Sequence, residues 1–206
     1  AINSIPVRNP RTGQIDAHIR PPSVDELTVL AERMRAAQPA WVAAGVDGRA
    51  RAMRAWRDAL AERRGPLTDA LERDTGRRAI STMEVDLVLG AMDRWATMAP
   101  AILQHHEMAS AIPFVRIRPA ASPYPLVGVI SPWNFPLLLA TLDAIPALMA
   151  GCAVIVKPSE VTPRFIAIVQ ASIADVPLLR DVFALVPGAA ATGQALIDLV
   201  DMICFT

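Results

Sequence analysis

The sequence predicts an α/β protein with a parallel, Rossmann-like sheet, flanking helices and a helical segment ahead of the sheet. From Tyr124 onward, apolar stretches of strand length alternate with stretches of helix length, which is the βαβ pattern of a parallel sheet. Before Gln104, apolar residues recur every three or four positions, as on one face of a helix. We expect the sheet to be incomplete through truncation, because the chain stops at its fourth such strand.

The composition favours a globular protein without nucleic-acid or membrane partners. Hydrophobic residues make up 53% of the 206, and 20 basic side chains balance 20 acidic ones. The two cysteines make no disulfide framework and the N-terminus has no signal-like apolar run, so we expect a reducing, cytoplasmic location. We expect no metal site, because none of the histidines, His18, His105 and His106, has a second ligand at suitable spacing.

Residues 1–104 begin with two short extended pieces around a turn at 9–13, and four predicted helices follow. Ser23 and Glu26 have the spacing of a capping box at the start of the first helix. Asp47 can cap the second helix through its side-chain carboxylate.

The third predicted helix occupies about 67–74 and stops at Gly76, and a second capping box, Ser81 with Glu84, precedes the fourth. The apolar stripe of the fourth helix is long enough to suggest a coiled-coil seam. Pro100 would disturb such a seam, so we expect one face packed on its own domain.

Residues 105–123 predict an exposed strand of the type used in oligomerisation. Two apolar residues alternate with two arginines over 115–118, and the flanking prolines, Pro113 and Pro119, suit an edge strand. The region 124–206 is the predicted dinucleotide-binding core. Its strands are expected at 125–130, 153–157, 182–186 and 202–205, and its helices at about 136–149, 163–174 and 191–199.

The apolar run Leu137–Val156 is long enough to cross a bilayer. Asp143 near its middle would be costly there, and Pro146 and Gly151 interrupt the run. We therefore expect a buried helix and a buried strand joined at Gly151 rather than a membrane span.

Polar side chains follow the first two strands of the core. Ser131 and Asn134 come after the first strand, and Lys157, Ser159 and Glu160 end the second. Parallel α/β sheets bind ligands outside these carboxyl ends. Lys and Ser can donate to ribose or phosphate, and Glu can accept from both ribose hydroxyls. The alternative for the second group is a solvated strand-to-helix connection.

Two further features allow two interpretations each. The Asn134 amide could donate to a developing oxyanion, or it could tie down the turn after the strand. Gly188 and Gly193 could let a backbone approach a phosphate at a helix N-terminus, or they could form a simple tight turn. Gln194-Ala195 stands where a P-loop requires Lys-Ser/Thr, which excludes a nucleoside triphosphatase of that type.

Motifs spread over the whole chain resemble the NAD(P)-dependent aldehyde dehydrogenase superfamily. They are Asn9-Pro10 with Gly13, Asp74-Thr75-Gly76, Pro132-Trp133-Asn134-Phe135-Pro136, Ala150-Gly151, Lys157-Pro158-Ser159-Glu160 with Thr162-Pro163, Val186-Pro187-Gly188, Gly193 and Phe205-Thr206. The resemblance implies the cofactor-binding part of an enzyme that oxidises an aldehyde to an acid. It also implies NAD as cofactor, with NADP possible, and a homodimer or tetramer.

The resemblance implies a family mechanism in which a cysteine thiolate attacks the aldehyde, an asparagine amide holds the oxyanion and a glutamate activates water. It makes Asn134 the oxyanion-hole amide. It gives ten residues a cofactor-binding role: Ile130, Ser131, Pro132, Trp133, Lys157, Ser159, Glu160, Gly188, Gly193 and Thr206. Glu160 would favour NAD, because its carboxylate would repel a 2′-phosphate.

Some positions depart from the family pattern. The family's nucleophile and base follow a Phe-Thr-Gly-Ser motif, and this chain stops at Thr206, so we expect the catalytic domain to be absent. Neither Cys152 nor Cys204 matches the nucleophile, and Ala190 stands where a glycine is common. Two alternatives stay open: a truncated, non-catalytic binding or interaction module, and a related reductase of acyl phosphates or acyl thioesters.

Overall fold

The computed structural model describes residues 4–104, 107–118 and 121–206. The elements in chain order are β1 (Ile5–Arg8), β2 (Ile15–Ile19), α1 (Val24–Ala43), α2 (Gly45–Glu62), α3 (Arg64–Thr75), α4 (Arg78–Ile102), β3 (Met108–Ala109), β4 (Arg116–Ile117), β5 (Leu126–Ile130), α5 (Pro136–Leu142), α6 (Ala144–Ala150), β6 (Ala153–Lys157), α7 (Phe165–Ala174), β7 (Phe183–Leu185), α8 (Ala190–Leu199) and β8 (Met202–Phe205). The predicted α/β class and helical N-terminal segment are confirmed.

The central sheet has four parallel strands in the order β7-β6-β5-β8, as the βαβ pattern predicts. All five residues of β6 and four of the five in β5 are buried, because helices cover both strands. Helix α1 contacts β5 and β6, and the long α4 packs on α2, α5 and α6. The carboxyl ends of all four strands therefore lie at one edge of the sheet.

The start of α1 is the predicted capping box. The Ser23 hydroxyl accepts from the Glu26 amide at 3.1 Å, and the Ser23 amide donates to the Glu26 carboxylate at 2.8 Å. Helix α3 ends at Gly76, whose φ of 73° is the left-handed conformation of a helix C-cap.

Two predicted caps are wrong. Asp47 lies inside the first turn of α2, which begins at Gly45, so its carboxylate complements the helix dipole without capping. Ser81 lies inside α4, where its hydroxyl donates to the Arg77 carbonyl at 2.8 Å. Its supposed partner Glu84 is fully buried and accepts instead from amides of α5. A tertiary contact has replaced the local one that the spacing favoured.

The predicted helix over 136–149 is two short helices, α5 and α6, that meet at Asp143. Pro146 has no amide to donate to the carbonyl four residues earlier, which is the last residue of α5. Gly151 ends α6 with a φ of 109° and joins it to β6, as expected. Across the part of the chain that the structure describes, every helix is too short or too polar to cross a membrane.

The predicted exposed strand is β4, which pairs antiparallel with β3 and leaves all four paired residues exposed. It is shorter than the sequence pattern indicates. His105, His106 and Pro119 lie outside the described residues.

Candidate functional site

Backbone hydrogen bonds bring the ends of four strands together. The Ser131 amide donates to the Lys157 carbonyl at 3.2 Å, and the Thr206 amide donates to the Ile130 carbonyl at 3.2 Å. The Val186 amide donates to the Val156 carbonyl at 2.8 Å, which places the end of β7 beside β6. The candidate residues after β5, β6, β7 and β8 therefore share one edge of the sheet.

The polar groups at the end of β6 are engaged by the protein itself. Lys157 is 5% exposed, and its Nζ donates to the carbonyls of Gly188 at 2.9 Å and Pro158 at 3.1 Å. The Nζ also lies 3.7 Å from the Glu160 carboxylate. Burial lowers the pKa of Lys157, and the nearby Glu160 charge opposes this shift. Two of the three N–H donors of the Lys157 ammonium are thus engaged by carbonyls.

In the turn after β7, the Gly188 backbone lies very close to the Thr192 side chain. A Cβ at Gly188 would lie 2.2 Å from the Thr192 hydroxyl, so only glycine fits where the chain enters α8. Gly193 lies inside the first turn of α8, and a Cβ there would meet Ile130 and Lys157 side-chain atoms at an ordinary 3.6 Å. The start of α8 thus packs against the ends of both β5 and β6.

Glu160 faces a cleft of about 300 Å³ between the loop after β6 and the N-terminal hairpin. The other residues that line the cleft are Pro6, Arg8, Pro10, Asp74 and Val161. The Glu160 side chain is partly exposed, so its carboxylate is accessible to a ligand. Ser159 differs, because it is buried and its hydroxyl accepts from the Val161 amide at 3.2 Å.

A buried ion network anchors the same loop. The Asp74 carboxylate accepts from the Arg164 amide at 2.8 Å and forms an ion pair with the Arg164 guanidinium, which also contacts Asp16. Burial raises the pKa of Asp74 to about 6, although the contacts with Arg164 lower it.

The turn after β5 is arranged differently. Asn134 is exposed, and its side-chain amide makes no hydrogen bond with the residues that the structure describes. Its backbone carbonyl accepts from the Arg77 guanidinium instead. Trp133 beside it is 58% exposed. Other groups therefore tie down this turn, and the Asn134 side chain is left available.

The remaining predicted site residues differ in whether their side chains are already engaged by the protein. The Ser131 hydroxyl is buried and has no partner among the described residues. Pro132 is half-buried, and the Thr206 hydroxyl donates to Asp143 at 3.3 Å. An accessible carboxylate at Glu160, an orphaned hydroxyl and a glycine-only turn together fit a dinucleotide at this edge.

Comparison with known proteins identifies the family. The model of the aldehyde dehydrogenase family matches residues 1–206. The chain belongs to the aldehyde dehydrogenase family. The resemblance that the motifs indicate is thus confirmed.

The relatives are longer than this chain. It is 34% identical to a protein of Mycolicibacterium smegmatis provisionally named succinate-semialdehyde dehydrogenase [NADP(+)], and it covers 40% of that protein and 100% of itself. The solved structure of PutA from Anabaena variabilis, provisionally an aldehyde dehydrogenase, is 49% identical with a TM-score of 0.96, over 98% of this chain and 43% of that one. An NAD-dependent benzaldehyde dehydrogenase from Corynebacterium glutamicum is 25% identical with a TM-score of 0.86, over 100% and 46%.

The two cysteines of this family member do not look like activated nucleophiles. Burial raises the pKa of both the Cys152 and Cys204 thiols, which disfavours the reactive thiolate. Among the described residues, no group of three or more His, Cys, Asp or Glu side chains could hold a metal ion.

Two residues near the site were missed by sequence reasoning. Arg77 and Glu84 both contact the segment that carries Asn134, although they are 57 and 53 residues from their partners in the chain. Glu84 was interpreted as a local cap. In the sequence, the only feature that distinguishes Arg77 is its position directly after Gly76, where a helix begins.

Proposed function

We propose that this chain is the cofactor-binding part of an enzyme that oxidises an aldehyde to a carboxylic acid with NAD or NADP. The observation that carries the proposal is the Asn134 amide, which is exposed and unengaged among the described residues, beside an edge that fits a dinucleotide. The nucleophilic cysteine and the general base would come from the part of the relatives that this chain does not span. This proposal is supported by the family assignment and by relatives named for NADP and for NAD.

The cofactor, when bound, supplies the nicotinamide that accepts a hydride. The residues of this chain bind the cofactor and hold the aldehyde oxygen. Glu160 accepts from the ribose hydroxyls, and the turn at Gly188 lets the backbone approach the dinucleotide. Trp133, which is exposed beside Asn134, would line the bound cofactor with its ring. The Asn134 amide donates a hydrogen bond to the oxygen of the aldehyde as negative charge develops there, which lowers the barrier to attack by the thiolate.

The preference of the proposed enzyme is for NAD. The Glu160 carboxylate is accessible in the cleft, whereas the neighbouring Lys157 ammonium is buried and donates to two carbonyls. A 2′-phosphate would meet this carboxylate in a partly desolvated cleft.

The proposed quaternary state is a homodimer or tetramer in the cytoplasm. The hairpin of β3 and β4 supports it, because Met108, Phe114, Val115 and Ile117 expose apolar surface to solvent. Contiguous exposed apolar surface marks protein–protein interaction sites.

Tryptophan fluorescence tests the cofactor site directly. Trp133 is exposed at the site, whereas Trp41 and Trp56 are buried in the core and Trp95 is half-buried on α4. We expect NAD to change the emission of the complete protein, and Trp133→Phe to remove that change while binding, followed by calorimetry, persists. A protein that binds neither NAD nor NADP would contradict the proposal.

A further inference from the structure

We propose that Arg77 and Glu84 are positioning residues that hold the turn bearing Asn134 so that its amide points at the reacting oxygen. The inference rests on the proposed function and adds two residues to it. Both lie at the start of α4, outside the motifs that carry the family resemblance.

Arg77 fixes the turn at Asn134 itself. Its guanidinium donates to the Asn134 backbone carbonyl, and its Cζ lies 5.3 Å from the centre of the Phe135 ring. A guanidinium over an aromatic face adds a cation–π attraction to the hydrogen bond. One side chain therefore restrains two consecutive residues of the turn.

Glu84 fixes the other end of the turn. Its Oε1 accepts from the amides of Leu137 at 2.8 Å and Leu138 at 2.9 Å. Helix α5 begins at Pro136, which has no amide hydrogen, so these are the first two donors of the helix. A buried carboxylate here satisfies both donors and complements the helix dipole.

The backbone around Asn134 is consequently held from both sides by α4. Its own side chain takes no part, since it makes no hydrogen bond with the described residues. The Ser131 amide anchors the start of the turn to the Lys157 carbonyl. A donor that is fixed by its backbone and free at its side chain is the arrangement that a preorganised oxyanion donor requires.

The first test uses Arg77→Leu in the complete protein, with Arg78→Leu as the matched control. Arg78 is the next residue, and among the described residues its guanidinium pairs with the carboxylates of Asp69 and Glu72 on α3 rather than with the turn after β5. Misplacing Asn134 should lower kcat about 10- to 100-fold for Arg77→Leu and leave KM for the cofactor unchanged. Arg78→Leu should leave kcat near its normal value. An unchanged kcat in Arg77→Leu would overturn the inference.

A double-mutant cycle distinguishes positioning from a general structural role. If Arg77 acts through Asn134, then Arg77→Leu should cost almost nothing in kcat once Asn134→Ala has removed the amide. A full, additive loss in that background would overturn the inference.

Glu84 has a conservative test. Glu84→Gln keeps an oxygen acceptor and should recover most of the kcat that Glu84→Leu loses. If Glu84→Leu does not fold, the bracing role is tested by hydrogen exchange instead. Exchange is measured at the Leu137 and Leu138 amides in Glu84→Gln and in the Arg77 variants. Unchanged protection together with a collapsed kcat in Glu84→Gln would contradict the bracing role.

A complete protein without aldehyde oxidation overturns the proposed function and this inference together. An active protein that is sensitive to Asn134→Ala but not to Arg77→Leu overturns only the inference.

Discussion

The ends of β5 and β6 lie side by side but use their polar groups in opposite ways. At β6, the Lys157 ammonium donates to two carbonyls and the Ser159 hydroxyl accepts from the Val161 amide. At β5, the Asn134 amide is exposed and unengaged among the described residues, while its backbone is held by others. The Lys157 and Ser159 side chains thus stabilise the protein itself, whereas the turn after β5 presents a hydrogen-bond donor that no described residue engages. Substitution of Lys157 after β6 should therefore change stability, whereas substitution of Asn134 after β5 should change catalysis.

The largest effect is expected at the end of β5. Asn134→Ala in the complete protein should lower kcat by roughly 10²–10³-fold, because one oxyanion donor is lost. Cofactor affinity and Tm should stay constant, since the side chain satisfies no described group. Steady-state kinetics and thermal unfolding of the same preparation check this. A variant that melts several degrees lower but turns over normally when cold would remove Asn134 from the catalytic residues.

The buried ion network behind β6 should make stability depend on pH. The pKa of Asp74 is raised to about 6 from its ordinary 3.8, so its contribution to folding is complete below 3.8 and is lost as pH rises through 6. The difference between these two pKa values corresponds to roughly 3 kcal/mol of stability. The stability of wild type relative to Asp74→Asn should therefore fall between these pH values.

Denaturant unfolding at a series of pH values measures this difference. Asp69→Asn is the control, because Asp69 lies exposed in the same helix, α3. A difference between wild type and Asp74→Asn that stays constant with pH would show that Arg164 keeps Asp74 ionised throughout.

A smaller loss of stability is expected at Lys157. Lys157→Met removes the donor that two carbonyls share, which should destabilise the protein by about 1–3 kcal/mol. Chemical denaturation measures this loss in the free energy of unfolding. Asn134→Ala serves as the control variant, because no loss is expected there. An unchanged free energy of unfolding would mean that removing the buried charge offsets the lost hydrogen bonds.

The smallest effect concerns the choice of cofactor. The complete protein should use NAD better than NADP, and Glu160→Gln should raise the ratio of kcat/KM for NADP to that for NAD by about tenfold, or 1.4 kcal/mol. Equal or better use of NADP by the unaltered protein would show that Lys157 outweighs the carboxylate.

The sequence predicted the strands and the family well, because both depend on local pattern. The apolar stretches that became β5 and β6 are short, uninterrupted and followed by polar motifs. The capping pattern at Ser81 and Glu84 failed, since the same residue types served a contact with α5 that no local spacing reveals. The contrast between Lys157 and Asn134 was equally hidden. In the sequence Lys157 ends a strand and Asn134 follows one, and only the three-dimensional neighbours show which one is already engaged.

The most direct test of the central claim is aldehyde-dependent reduction of NAD, measured for the complete protein and for the 206-residue chain alone. The same panel of aldehydes, with a heat-killed control, serves both. We expect turnover by the complete protein and none above the control by the chain alone, because neither of its cysteines is an activated nucleophile. Turnover by the chain alone that is abolished by replacing Cys152 or Cys204 would contradict it.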